Sequence, residues 1–354
     1  MITSIEFQRQ SSARPFVRAW LLGVAALVFV MVIVGGATRL TDSGLSITEW
    51  QPLLGAIPPL TEEHWLQAFD KYRQIPEYQL VNKGMSLEEF KFIYWWEWGH
   101  RFLGRIIGLA FFLPFAYFAV TGALSAKTAW RCGALFVLGG LQGALGWYMV
   151  ASGLIDRVDV SQYRLAAHLS LATVIFGAIL WVALGLDVRR QVPRQPREWA
   201  ALLLAGLVLL QVTTGGFVAG IDAGFGYNTW PLMEGSLIPN GLFVSQPWWR
   251  NLFENALTVQ FVHRTLAYVI VLAVLSYAYM VRSRESLIML VAVGLQVVLG
   301  IWTLLWAVPL WLGLAHQGGA LIVFASTLWN LHRLLSQEGS EKREWPERSP
   351  AIRS

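Results

Sequence analysis

Four histidines stand near the starts of long apolar stretches: His100, His168, His263 and His316. Two of them keep company that lipid rarely tolerates, with Glu97 and Arg101 flanking His100 and Arg264 following His263. Ionisable side chains in hydrocarbon are costly, so their presence marks function. A lone histidine in a helix is usually a hydrogen-bonded structural residue, but four in two pairs point to ligation. Zinc and copper sites want three or four close protein ligands, and neither pair has a third partner at its level. Haem asks for two axial imidazoles on opposite faces of a flat ring, within an apolar site lined by small residues. The sole cysteine, Cys132, excludes both an intrachain disulfide and a thiolate cluster.

The elements that position these side chains are membrane spans. Of 354 residues, 55% are hydrophobic and 14% charged, and 18 are tryptophan. Apolar runs of about 20 residues, the length that crosses a hydrocarbon core, lie at 16–36, 101–122, 130–151, 164–186, 199–219, 260–281, 286–306 and 310–332. The first follows Arg9, Arg14 and Arg18 without a small-residue cleavage site, and reads as a retained helix. Basic residues collect on one side: Lys127 and Arg131; Arg189, Arg190, Arg194 and Arg197; Arg282 and Arg284; and Lys342, Arg343, Arg348 and Arg353. By the positive-inside rule both termini are cytoplasmic. This topology accounts for the net charge of +5, which therefore does not indicate a nucleic-acid surface.

The chain also reads as written twice. At a constant offset of 180 residues, Gly35, Gly36, Asp42, Gly44, Trp50, Gly55 and Pro59 meet Gly215, Gly216, Asp222, Gly224, Trp230, Gly235 and Pro239. His100-Arg101 answers His263-Arg264, "LQGALG" (141–146) answers "LQVVLG" (295–300), and Ala167-His168 answers Ala315-His316. The expected fold is an all-α integral membrane protein of eight spans in two tandem four-helix bundles. An even number of crossings per copy makes the repeat parallel, so all four histidines fall toward the outer side. The expected divisions are an N-terminal half (1–197), a C-terminal half (198–335) and a cytoplasmic tail (336–354). Gln142 and Gln296, also repeat-matched, read as interhelical hydrogen-bonding residues.

Glycines and alanines near the histidines (Gly99, Gly104, Gly108, Ala166, Ala167, Ala267, Ala315, Gly318, Gly319) would leave room for a ring, and Phe102, Trp147, Phe261 and Trp302 would line it. Arg39, Arg101, Arg164 and Arg264 lie where haem propionates would point, and guanidinium groups suit carboxylates. Trp95, Trp96, Trp98, Trp248 and Trp249 read as an interfacial aromatic belt.

The differences between copies are an internal control. Glu97 has Gln260 as its counterpart, so only the first half keeps a carboxylate one turn from its first histidine. Ser86 and Glu89 form a capping-box pattern, predicting a helix that starts near residue 87 and holds Glu97 well inside it. The first half is thus assigned to chemistry and the second to a permanently held cofactor. Residues 37–96 form a long outer loop, with its own helix after Thr61, that suits a lid. His64 in that loop reads as a solvated residue and His332 as an interfacial one.

Glu-x-x-His-Arg at 97–101, "HRTLAY" at 263–268, "AHQ" at 315–317 and "NTWPLMEG" at 228–235 together resemble haem A synthase of the mitochondrial and alphaproteobacterial type. The resemblance covers nearly the whole chain. It implies oxidation of the C8 methyl of haem O to a formyl group, giving haem A for cytochrome oxidase in the bacterial inner membrane. It also implies that His263 and His316 ligate haem b, that His100 and His168 hold the haem O substrate, and that Glu97 is catalytic. The implied partners are an upstream haem O synthase, a farnesyltransferase, and an electron donor or acceptor; a homo-oligomer is compatible. Other members carry outer-loop cysteine pairs, which this chain lacks. Two rival classes remain: a quinol-linked di-haem b electron-transfer cytochrome, which leaves the one-sided Glu97 unexplained, and a transporter, which would want more polar residues at mid-membrane.

Overall fold

The computed structural model describes residues 4–52, 54–186 and 195–341, and it is all helical. Arg189, Arg190, Arg194, Lys342, Arg343, Arg348 and Arg353, on which the expected orientation partly leans, lie outside the described residues. Eight helices are long and apolar enough to cross a membrane: α1 (Ser4–Leu40), α4 (Leu87–Val120), α5 (Ala126–Val150), α6 (Gln162–Leu184), α7 (Pro196–Gly220), α9 (Ala256–Val281), α10 (Arg284–Leu305) and α11 (Leu310–Glu341). They match the eight apolar runs one for one, and the chain is a multi-pass membrane protein. Three short helices, α2 (Glu62–Tyr72), α3 (Pro76–Leu80) and α8 (Asn251–Glu254), lie in the connections.

Local chemistry sets the starts. The Ser86 hydroxyl accepts from Glu89 N while the Glu89 carboxylate accepts from Ser86 N, closing the expected capping box of α4. Thr61 caps α2 by accepting from His64 N, and His64 is exposed, as anticipated. The first long connection is shorter than expected, 41–86 instead of 37–96, because α1 runs on to Leu40 and α4 begins ten residues before Glu97.

The helices pack in two rings. In the first half α1 touches α4 and α6, and α5 touches α4 and α6; in the second α7 touches α9 and α11, and α10 touches α9 and α11. The rings join through α1–α11, α6–α7 and α6–α11. Burial follows this plan. Between 33% and 44% of the most apolar stretch of α1, α6, α7 and α11 is buried, against 6% to 17% for α4, α5, α9 and α10. Four central helices thus form a common core, including Leu21, Ala205 and Leu321, while two helix pairs face outward. His332 belongs to this core and not to an interface. It is buried, with its ring edge-on to Trp181 at 5.9 Å, because the central helices stay packed to their ends.

Candidate functional site

The four histidines enter the two rings from diagonally opposite helices. His100 is on α4 and His168 on α6, with α1 and α5 between them; His263 is on α9 and His316 on α11, with α7 and α10 between them. His168, His263 and His316 lie in the second turn of their helices, and His100 lies deeper in α4, whose first turns support the loop. Each pair is close enough to interact electrostatically. All four helices start at the end of the bundle where α1 and α7 finish, so the pairs share one end. Among the described residues no group of three or more His, Cys, Asp or Glu could hold a metal ion. Any iron here would rely on the histidine pairs and not on a side-chain cage.

Every one of these imidazoles rests against a glycine. A Cβ at Gly35 would meet His100 Nε2 at 3.3 Å, and one at Gly215 would meet His263 Cε1 at 3.3 Å. At Gly146 and Gly300 it would meet Cε1 of His168 and His316 at 2.9 and 2.8 Å. The glycines expected to leave room for a ring are a different set. Gly99 and Gly108 face open space, Gly104 meets Met31, Gly318 meets Ile33 and Phe29, and Gly319 meets Gln296 and Leu299. Among the expected lining aromatics, Phe102 stacks on Trp98, Trp147 meets Trp50, Phe261 packs beside Met233 and Leu257, and Trp302 joins Trp306 and Trp311.

Glutamine amides fix the histidine helices. Gln142 Nε2 donates to His168 O at 3.0 Å and lies 3.3 Å from His168 Nε2; Gln296 Nε2 donates to His316 O at 2.7 Å and lies 3.1 Å from His316 Nδ1. Both bonds cross between helices, as the sequence suggested. In the second half Thr214 Oγ1 lies 2.8 Å from His263 Nδ1, and Gln211 Nε2 donates to His263 O at 3.0 Å. The ring of His100 has no hydrogen-bond partner among the described residues, and the shielded Nδ1 of His168 has none either. The second pair is therefore held more rigidly than the first.

Glu97 is buried and fully engaged. Its Oε2 accepts from Ser46 Oγ at 2.7 Å and Ile47 N at 2.8 Å, and its Oε1 accepts from Arg101 Nη2 at 2.6 Å. Arg101 also donates to the carbonyls of Ile47 and Glu49, and Arg105 to those of Gln51 and Pro52. Three residues one turn apart thus strap the segment Ser46–Pro52 along about 12 Å of α4. Non-helical backbone near lipid needs such satisfaction. Gln260, Arg264 and Tyr268 hold the second outer loop in the same register. Gln260 donates to the carbonyls of Ala223 and Gly226, Arg264 to those of Thr229 and Pro231, and Tyr268 accepts from Trp230 Nε1. The strap, α3 and Arg105 were not legible in the sequence, whereas α2 is the helix expected after Thr61.

Arg39 sits at the junction of the halves, paired with Asp42 at 2.9 Å, Asp222 at 2.8 Å and Asp159 at 3.8 Å. Arg164 lies over the Tyr148 ring at 3.6 Å and donates to Tyr148 O. In the loop above, burial pushes the Glu77 carboxyl up to about 8, opposed by a hydrogen bond from Tyr72 OH and reinforced by the nearby Glu97 charge.

Proteins named haem A synthase are 58% identical in Parvibaculum lavamentivorans, 56% in Azorhizobium caulinodans and 50% in Nitrosospira multiformis. The alignments cover 89%, 88% and 90% of this chain and 93%, 92% and 93% of those proteins. Residues 18–328 match the model of the COX15-CtaA family, described as cytochrome oxidase assembly protein. With that match spanning all eight helices, the chain belongs to the COX15-CtaA family of cytochrome oxidase assembly proteins.

Proposed function

We propose that this protein is an oxidoreductase of haem biosynthesis that converts haem O to haem A by oxidising the C8 methyl to a formyl group. The reading rests on the relatives' shared name and on one observation: two diagonal histidine pairs of equal design, only one of which has a carboxylate at its side. The two halves, 1–197 and 198–335, are tandem copies of one four-helix unit, with 336–354 a cytoplasmic tail. His100 and His168 hold the haem O substrate, and His263 and His316 hold haem b. Both pairs fit a haem. Each imidazole is backed by a glycine where a Cβ would intrude, and the orphaned Nδ1 of His168 leaves that ring free to turn toward a ligand. Bound haem b supplies one-electron transfer.

The chain's own residues divide the remaining work. The Thr214 contact to His263 Nδ1 favours the tautomer that carries its proton there and leaves the Nε2 lone pair, now 3.2 Å from Gln211 Nε2, as the ligating atom, as partners on the far ring nitrogen do in metal sites. His100 lacks such a partner, which suits a site that must release its product. Glu97, held by Ser46, Ile47 and Arg101, places a carboxylate one turn from His100, where it balances positive charge developing during the oxidation. Arg39, Arg101, Arg164 and Arg264 stand at the propionate end. The bundle end that carries the histidines is periplasmic, both termini are cytoplasmic and the membrane is the inner one. An upstream farnesylating enzyme supplies the substrate.

The test is purification with pigment extraction and haem O conversion. Wild type is expected to hold haem b and to form haem A. Changing His263 or His316 to alanine should abolish retained haem b. Changing His100 or His168, or making Glu97→Gln, should spare it and stop product. Haem b alone in the wild type, without conversion, would refute the assignment in favour of an electron-transfer cytochrome.

A further inference from the structure

The two halves differ along one wall. On α4, Gly104 and Gly108 are exposed where the matching residues of α9 are Ala267 and Val271, both half-buried. On α5, Gly139 and Gly143 are exposed where α10 has Val293, buried, and Val297, half-buried. A Cβ at Gly108, Gly139 or Gly143 would meet nothing within 4 Å. Gly104 packs against Met31 of α1, but Gly108 falls between the directions of Phe111 and Phe112, the α4 residues that meet α5. On α5, Gly139 and Gly143 lie between the direction of Gly146, which meets His168, and that of Phe136, whose ring meets Phe111 and Phe112 of α4 at 6.3 and 5.3 Å. The first half therefore has an open cleft between α4 and α5 that valine side chains fill in the second.

The cleft has ends. Phe111, Phe112 and Phe136 floor it, and the strap Ser46–Pro52 roofs it, with Trp50 edge-on to Trp147 of α5 at 5.1 Å. Its inner side reaches the histidine pair. Gly146, one turn beyond Gly143, is the residue against which His168 packs, and His168 carries the shielded nitrogen that lacks a partner. The opening thus runs from lipid to an unsatisfied ligand atom.

We propose that this α4–α5 cleft receives the isoprenoid tail of the substrate haem. The inference rests on the reading that His100 and His168 hold haem O. A branched, wholly apolar chain attached to a ring between those histidines has to leave the bundle sideways. The cleft supplies apolar walls, width unobstructed by side chains, and lipid at its outer side. A haem without the tail gains nothing from it, so the cleft selects for the prenylated form. The second half, which retains a haem that carries no such tail, has no need of the space.

The experiment compares haem O with protohaem, its tail-less relative, by absorption titration of the first-half site in holoprotein that already carries its second-half haem. Wild type is expected to bind haem O more tightly. The double variant Gly139→Val, Gly143→Val, which installs the second half's residues, should weaken haem O by at least about tenfold, what losing the burial of two methylenes costs. Protohaem binding should stay unchanged, and the retained second-half haem reports that the bundle is folded. Should that haem be lost too, the single variants Gly108→Ala and Gly143→Ala, each adding one methyl into open space, carry the same comparison. Equal weakening of both haems, no weakening of either, or no wild-type preference for haem O would overturn the proposal. A wild type that prefers haem O yet never makes haem A would instead refute the proposed reaction and leave the tail site standing.

Discussion

Replacing Gly300 with alanine tests whether the glycines exist to admit the imidazoles. The added Cβ would sit 2.8 Å from His316 Cε1, about 0.6 Å inside the 3.4 Å at which ordinary contact begins. The ring is not free to retreat, because Gln296 holds both its helix and its Nδ1, at 2.7 and 3.1 Å. Overpacking of this kind costs about 1–3 kcal/mol. If the ligated geometry bears that cost, haem retention at His263 and His316 falls about five- to 150-fold. Alanine also favours a helix by about 1 kcal/mol over glycine, so the right control is Gly294→Ala on the same helix, where a Cβ meets nothing within 4 Å. The helix term is common to both variants and cancels. The assay is haem per polypeptide and the position of the main absorption band after purification. Equal haem content and identical spectra for the two variants would refute the reasoning.

Two further predictions concern the rest of the site. Thr214→Val removes the oxygen beside His263 Nδ1 while keeping the shape. It should loosen the second-half haem about tenfold, within the range seen when the outer partner of a metal-ligating histidine is lost, and Thr214→Ser should restore it; unchanged haem content in the valine variant would count against the role. The carboxyl of Glu77, raised to about 8 by burial, keeps its proton in the folded loop at pH values where the unfolded chain, at 4.5, has lost it. The folded state then binds more protons, so stability is highest below 4.5 and falls as pH rises toward 8, by at most about 1.4 kcal/mol per pH unit. Protection of the amides of residues 62–82, after division by the base-catalysed intrinsic rate, should fall across that window in the wild type and stay flat in Glu77→Gln; parallel profiles in the two proteins would dismiss the effect.

Much of this was written in the amino acids, and what was missed follows a pattern. The eight spans were legible because a 20-residue apolar run has few other uses, and α2 and α4 because Thr61 and Ser86 carry capping chemistry. The order of helices around each ring was not, since hydrophobicity says that a helix is in the membrane and not which neighbour it touches. The diagonal placement of the histidines therefore came only from packing. The glycines are the most instructive case. Gly35, Gly146, Gly215 and Gly300, which touch the rings, are each retained in both copies, whereas Gly104, against Met31, and Gly108, which borders open space, occur in one copy. The same comparison that singled out Glu97 could have sorted them. The strap was hidden because its partners, the Ile47, Glu49, Gln51 and Pro52 carbonyls, belong to every residue type alike. His332 was misread because a polar residue near a helix end usually seeks water, and here it found Trp181.

The doubled glycines at 35–36 and 215–216 have a mechanical meaning. Gly35 touches His100 while Gly36 touches Gln317 of the opposite half; Gly215 touches His263 while Gly216 lies against the Ala166 backbone across the seam. An imidazole on one side of a helix and the sister half on the other are separated by the thickness of a single chain with no side chain to cushion it. At these two positions a histidine of one half and a side chain or backbone of the other are therefore joined through bare main chain, with no rotamer between them to absorb a shift.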